Sequence, residues 1–267
     1  MPRLDRLLAH NLGLSRRDAT RRVRRGLVRD AEGQLLKLPA QNIAPAKLPM
    51  TIEVSGEPVI LRSRYHLLQH KPRGVVTALK DARHRTVRDV LGDVPMGRDL
   101  RAVGRLDLDT SGLLLWTTEG DLLHRLTHPR YAVPRIYHVA VRARWQPCPD
   151  GLALADGYRP AIVELAELSE PHPGLAVPEE TGALATITLA SGKFHEVRRI
   201  FAALGTEVLG LCRVSYGPLT LPPCLAPGEH IEVDLHTVFA NLHPRPKKTA
   251  TLAPAKPEVG VAAAIEP

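Results

Sequence analysis

Cysteine is scarce in this chain: its 267 residues hold three, Cys148, Cys212 and Cys224. The number is odd and no Cys-x-x-Cys spacing occurs, so reduced structural thiols are expected rather than a disulfide framework. Long apolar runs are missing too. None approaches the ~20 residues that cross a bilayer, and the charged first 30 residues have no apolar signal-peptide core. A cytoplasmic protein with no membrane partner is the expectation. There is no Gly-rich phosphate loop, no Gly-x-Ser-x-Gly elbow and no His-Glu-x-x-His. Two histidine pairs, His66 with His70 and His124 with His128, have i, i+4 spacing without that glutamate. The first falls in an expected strand, where i and i+4 stand too far apart, and Pro129 ends the helix under the second. No metal and no cofactor are expected.

What the chain has in excess is positive charge, a net +8 from 36 Lys and Arg against 28 Asp and Glu. That balance favours a polyanionic partner. The length suggests two domains. The charge is densest at the start, where residues 1–30 carry nine arginines against Asp5, Asp18 and Asp30. Leu4, Leu7, Leu8 and Leu12 recur at helical spacing, and Gly13 ends that helix. Ser15 caps a second helix, from Arg16 to about Arg25, stopped by Gly26. A helix with so much charge of one sign repels itself unless phosphates neutralise it. The plainer reading is a solvated face, and a third takes the two helices as a DNA-binding helix-turn-helix.

Arg3-Leu-Asp-Arg-Leu-Leu-Ala followed by Gly13-Leu-Ser-Arg-Arg resembles the alpha-L RNA-binding module shared with a small-subunit ribosomal protein. The likeness covers residues 2–29. Beyond it, Asp30-Ala-Glu-Gly33 and a proline-containing stretch through Pro49 interrupt the short strands the module calls for, and Thr51-Ile-Glu-Val54 ends it. The resemblance implies RNA contacts for Arg3, Arg6, Arg16, Arg17 and Arg21.

A linker is expected around Ser55–Ser63. After it, Tyr65–Gln69, Arg135–Arg142, Ala183–Leu189 and His230–Leu235 alternate as strands do, and Asp121–Thr127 and Phe194–Leu204 read as helices. Thr118 is the expected cap of the first of these, with Asp121 three residues on. Strands and helices without a strict βαβ rhythm imply an α+β fold, with a mixed, largely antiparallel central sheet flanked by helices. The expected organisation is an RNA-binding module over 1–58, a catalytic domain over 63–240 and a disordered Pro/Ala/Lys tail over 241–267, in which Arg245, Lys247 and Lys248 are further RNA contacts.

The chemistry points to Gly104-Arg-Leu-Asp-Leu-Asp-Thr-Ser-Gly112, ahead of an apolar Leu113-Leu-Leu-Trp116. A loop entering a core strand is a rigid place to hold one side chain. Taken alone, Asp107 and Asp109 are equal candidates for a working carboxylate, and turn-forming aspartates are the bland alternative. Together with Tyr137 and with Gly192-Lys-Phe-His-Glu-Val-Arg-Arg-Ile-Phe201, the run resembles the RsuA family of bacterial pseudouridine synthases over residues 3–235.

That resemblance implies isomerisation of a uridine in ribosomal RNA. Asp107 would be the catalytic carboxylate. Tyr137 would stack on the extruded uracil or help remove its C5 proton; the plain alternative is a core tyrosine. Arg198 would pair with Asp107, and Arg199 would meet phosphate or surface. Arg105 would hold the flipped nucleotide's phosphate. Lys71 and Arg73, in a Lys-Pro-x-Gly turn where His70 replaces the usual asparagine, would contact RNA, and Leu106 and Ile187 would form pocket wall. Phe194-His195-Glu196 is nearer the small-subunit member than the large-subunit ones, so 16S rRNA is the expected target, with a 23S rRNA uridine as the alternative. The partner implied is ribosomal RNA or a subunit precursor, bound by a monomer. A non-catalytic ribosome-assembly paralogue is the rival reading.

Overall fold

Helix α1 (Leu4–Asn11) buries Leu4, Leu7 and Leu8 on one face, and α2 (Arg16–Arg24) buries only Ala19 and Val23. These meet Val28, Ile43, Ile52, Val54 and Leu61 in a small core of their own, each large apolar side chain contributing roughly 1.5–3 kcal/mol. Ser15 caps α2 as expected, its hydroxyl accepting from the Asp18 backbone N–H at 3.1 Å. In this computed structural model, which describes residues 1–243, a three-stranded antiparallel sheet completes the unit: β1 (Val28–Arg29), β2 (Met50–Val54) and β3 (Glu57–Leu61). The expected linker is therefore largely a strand. Val54 pairs with Glu57 across Ser55-Gly56, a two-residue hairpin turn with positive φ at both positions. The expected tail, with Arg245, Lys247 and Lys248, lies almost wholly outside the described residues.

Asn11 ties the small core to the larger unit, its side chain accepting from the Arg62 N–H at 2.9 Å and donating to the Arg62 carbonyl at 2.8 Å. The chain then enters β4 (His66–Lys71), α3 (Val87–Leu91), β5 (Arg101–Ala102), β6 (Thr110–Thr117) and α4 (Gly120–Thr127). It continues through β7 (Arg135–Val141), β8 (Ile162–Glu167), β9 (Ala183–Leu189), α5 (Glu196–Ala203) and β10 (Val208–Tyr216). It closes with β11 (Leu219–Thr220), β12 (His230–Glu232) and α6 (Leu235–Val238). The large sheet runs β12-β4-β6-β10-β7-β9-β8, with β5 on β6 and β11 on β10. Only β6 and β10 pair in parallel, so the sheet is mixed and largely antiparallel.

β6 and β10 lie at the middle, and every β6 residue is buried, which explains the unbroken apolar run of Leu113–Trp116. Apolar clusters cover both faces. Two expected boundaries move. The last strand stops at Glu232, because Asp234 caps a helix with its carboxylate on the His236 N–H. Helix α4 begins after Glu119 with no side-chain cap, because the Thr118 hydroxyl instead accepts from the Tyr65 N–H.

Candidate active site

The loop between β5 and β6 carries Asp107 and is fastened from both sides. Thr77 clamps its middle, donating to the Leu106 carbonyl at 2.7 Å and accepting from the Leu106 N–H at 3.1 Å. Beneath it, Lys71 donates to the carbonyls of Thr110, Pro72 and Leu108 at 2.7, 3.0 and 3.4 Å. Lys71 has no exposed surface, so it cannot meet RNA; that expectation is corrected. It is a brace under the loop. Burial pushes its ammonium down to about 8, against the opposing pull of Asp109 and Asp107.

Above the loop lies a cavity of about 320 Å³, lined by Arg105, Leu106, Asp107, Tyr137, Lys193, Phe194, His195, Arg198 and Arg213 among others. Asp107, Tyr137 and Arg198 thus come together from a loop, a strand and a helix. The Asp107 side chain is 26% exposed, and its Oδ1 lies 3.7 Å from His195 Nε2. Tyr137 is buried in β7 opposite Ile187 on β9 and Arg213 on β10. Ile187 is fully buried and does not reach the cavity, whereas Leu106 does.

Arg198 differs from expectation. Its Nη2 donates to Asp109 Oδ2 at 2.6 Å and its Nη1 to the Val208 carbonyl at 2.9 Å. The ion pair closes on Asp109 and not on Asp107. Arg199 pairs with Asp156 at 2.5 Å.

Sequence reasoning passed over Arg213. It is 2% exposed, yet it lines the cavity beside Tyr137. Its Nε donates to the Leu113 carbonyl at 2.9 Å, and its guanidinium lies over the Tyr216 ring at 5.1 Å. Its Nη2 has no hydrogen-bond partner among the described residues, a costly state for a buried guanidinium. The signal was a lone arginine within the apolar strand Val208–Tyr216. Phe194 and His195 were read only as markers of the target. They stack at 3.7 Å between ring centroids, with Phe194 69% exposed. Glu196 is instead an anchor, accepting from Ser191, Tyr158 and the Lys193 N–H at 2.5, 2.8 and 2.8 Å.

In the small unit, Arg3 and Arg16 both converge on buried Asp5, at 2.8 and 3.5 Å, and Arg21 pairs with Asp18. Arg6 donates to His10. Arg17, Arg73 and Arg105 are exposed. The three thiols are free, and burial pushes Cys212 up to about 11, the state of an inert structural cysteine.

A mixed sheet whose central loop brings the Asp107 carboxylate to a cavity walled by tyrosine and arginine is the frame of the site. The profile of the family described as RNA pseudouridylate synthase matches residues 65–203, and this chain belongs to that family. It is 35% identical to the ribosomal small subunit pseudouridine synthase A of Vibrio cholerae, over 85% of this chain and 94% of that protein. Identity to the Bacillus subtilis protein named uncharacterized RNA pseudouridine synthase YtzG is also 35%, over 86% of this chain and 94% of the relative. A crystal structure of a pseudouridylate synthase superposes with a TM-score of 0.55 at 27% identity, covering 89% of this chain and 98% of the other.

Proposed function

We propose that this chain converts a uridine of small-subunit ribosomal RNA to pseudouridine, with Asp107 as its catalytic carboxylate. The observation that carries the reading is Asp107 itself, a carboxylate held by a braced loop at a cavity that takes one extruded nucleotide. The reaction breaks the N1–C1′ bond and joins C5 of the same base to C1′. The C5 proton leaves and N1 gains one, so the balance calls for no oxidant, no water and no cofactor.

Asp107 adds to C1′ or removes a ribose proton, and either route suits a carboxylate beside a cation-like sugar. Tyr137 stacks on the base and assists proton removal at C5. Arg198, anchored by Asp109, and the spare nitrogen of Arg213 supply positive charge to the nucleotide. The exposed Phe194–His195 stack at the cavity is a platform for a neighbouring base.

Residues 1–61 act as the RNA-binding module, with Arg6 and Arg17 on phosphate and Arg3, Arg16 and Arg21 serving both their carboxylates and the RNA. Arg73 and Arg105 extend the basic track to the cavity. A monomer with one active site, working in the cytoplasm on ribosomal RNA or a subunit precursor, fits this arrangement. Among the described residues no helix is long and apolar enough to cross a membrane.

The small-subunit target is supported by relatives at 34–35% identity that are named ribosomal small subunit pseudouridine synthase A. Its test is conversion of uridine in unmodified 16S rRNA by purified protein, with pseudouridine mapping in a strain lacking the gene. Loss of one 16S pseudouridine is the expected result. Loss confined to 23S rRNA refutes the target, and no loss with no conversion in vitro refutes the activity.

A further inference from the structure

By spacing, His66 pairs with His70. The fold gives His66 different neighbours. At the edge where β4 leaves the small unit, His66 Nε2 lies 3.1 Å from Glu119 Oε2, and His236 Nε2 approaches the same oxygen at 2.6 Å. One ligand atom from each residue lies within 4.8 Å of the others. We infer that His66, Glu119 and His236 form a site for a divalent transition cation, zinc by preference, that clips α6 to the sheet.

The orientation of His66 carries the argument. Its side chain is almost wholly buried, and its Nε2 has no hydrogen-bond partner among the described residues despite the nearby carboxylate. Its other nitrogen, Nδ1, lies 2.9 Å from the Thr117 hydroxyl oxygen. With the ring proton on Nδ1 and donated to Thr117, Nε2 keeps a free lone pair within the cluster. The Glu119 oxygen 3.1 Å away makes its hydrogen bond with His236 and none with His66, and a cation held among the three joins the His66 nitrogen to them. A ring nitrogen held from behind by a second polar group is the usual support of a metal-bound histidine.

Two imidazoles and one carboxylate are a common zinc donor set, with a fourth position left for water. Metal–ligand bonds of ~2.0–2.2 Å place tetrahedral donor atoms roughly 3.3 Å apart. Glu119 and His236 are each 34% exposed, so both have room for the small rotations that reach this spacing, and the ion has a path in. Such N and O donors suit zinc, cobalt or nickel better than magnesium or calcium.

The role is structural. His66 pairs with Thr117 at one end of β4–β6, and Lys71 pairs with Gly112, beside the Asp107 loop, at the other. Five residues at ~3.3 Å each put the ion roughly 17 Å from the cavity end of the sheet. Here it joins the start of β4, the residue before α4 and the last described helix.

The test is titration of full-length, chelator-stripped protein with Zn²⁺ and with Co²⁺. One ion per chain, visible d–d absorption bands with Co²⁺, and a rise in Tm of about 5–10 °C near a hundredfold excess over Kd are expected. His236→Ala, at a half-exposed position, removes the bands and the Tm shift. His66→Ala does the same where it folds, while Cys148→Ser/Cys224→Ser retains both. Absence of bands and shift in the parent overturns the inference, and so does a response that survives His236→Ala.

Discussion

Arg198 is held by Asp109, with Nη2 2.6 Å from Oδ2, and among the described residues this leaves the Asp107 carboxylate with only His195 in ion-pair range, at 3.7 Å. The second aspartate of the run therefore serves to aim the arginine. Because Asp109 is 53% exposed, Asp109→Asn should cost less than ~1 kcal/mol of stability. It should slow single-turnover pseudouridylation about tenfold, an interaction of ~1.4 kcal/mol. Arg198→Ala, which removes the charge at the cavity, should slow it about a hundredfold. Equal, near-normal rates for both variants would show that the pair serves only the surface.

Lys71 offers a pH-dependent test of its role as a brace. Its folded value, about 8, lies below the ordinary 10.5. Between these values the unfolded chain holds the proton that the folded chain has released, so stability rises with pH across this window. The stability of the parent minus that of Lys71→Met should grow by on the order of 3 kcal/mol from pH 7.5 to 10.5. At pH 7.5 the variant should have lost most of its activity, since three carbonyls around the Asp107 loop lose their donor. Urea melts and initial rates read the two effects separately, and a stability difference that stays flat with pH would contradict the buried ammonium.

Gly112 stands where β6 passes β10. A Cβ there would lie 2.3 Å from the Arg213 carbonyl oxygen, and the residue has φ +112. Gly112→Ala should therefore destabilise the protein by more than ~3 kcal/mol and yield little folded material at 37 °C. A normal melt from this variant would contradict the tight parallel pairing.

Acid should weaken the fold before its carboxylates titrate. Burial holds His70 and His138 below the ordinary 6.5, so the unfolded chain takes up protons first. Their contribution is whole above pH 6.5 and fades as pH falls through the lower folded values. The urea midpoint should drop between pH 7 and 5, and His138→Gln should flatten that drop.

Much of this was legible in the sequence for identifiable reasons. Ser15 and the Leu4, Leu7, Leu8 spacing revealed the first helices because caps and apolar periodicity are local signals. The strand at Ala183–Leu189 falls where its alternation places it. The loop ahead of Leu113–Trp116 showed itself because that apolar run has a buried-strand pattern, and the choice of Asp107 within it came from the resemblance to the RsuA family. What stayed hidden depends on contacts distant along the chain. Lys71 has the same formula as any basic residue, and only the carbonyls of Leu108 and Thr110 make it a brace. Arg198 lies 89 residues from Asp109, and nothing in the Gly104–Gly112 run says which aspartate it will choose. Arg3 and Arg16 looked like free charge until Asp5 turned up buried between them. The missed strand at Glu57–Leu61 contains a proline and has only one buried residue, so its alternation is weak.

The central claim rests on Asp107, and Asp107→Asn tests it most directly. The change keeps the side chain's shape and removes its charge, replacing one carboxylate oxygen with an amide nitrogen. On unmodified 16S rRNA, the variant should bind within about threefold of the parent and melt at the same temperature, yet form no pseudouridine above a rate at least ~10⁴-fold below that of the parent. Pseudouridine formed at the parental rate by Asp107→Asn would contradict the account.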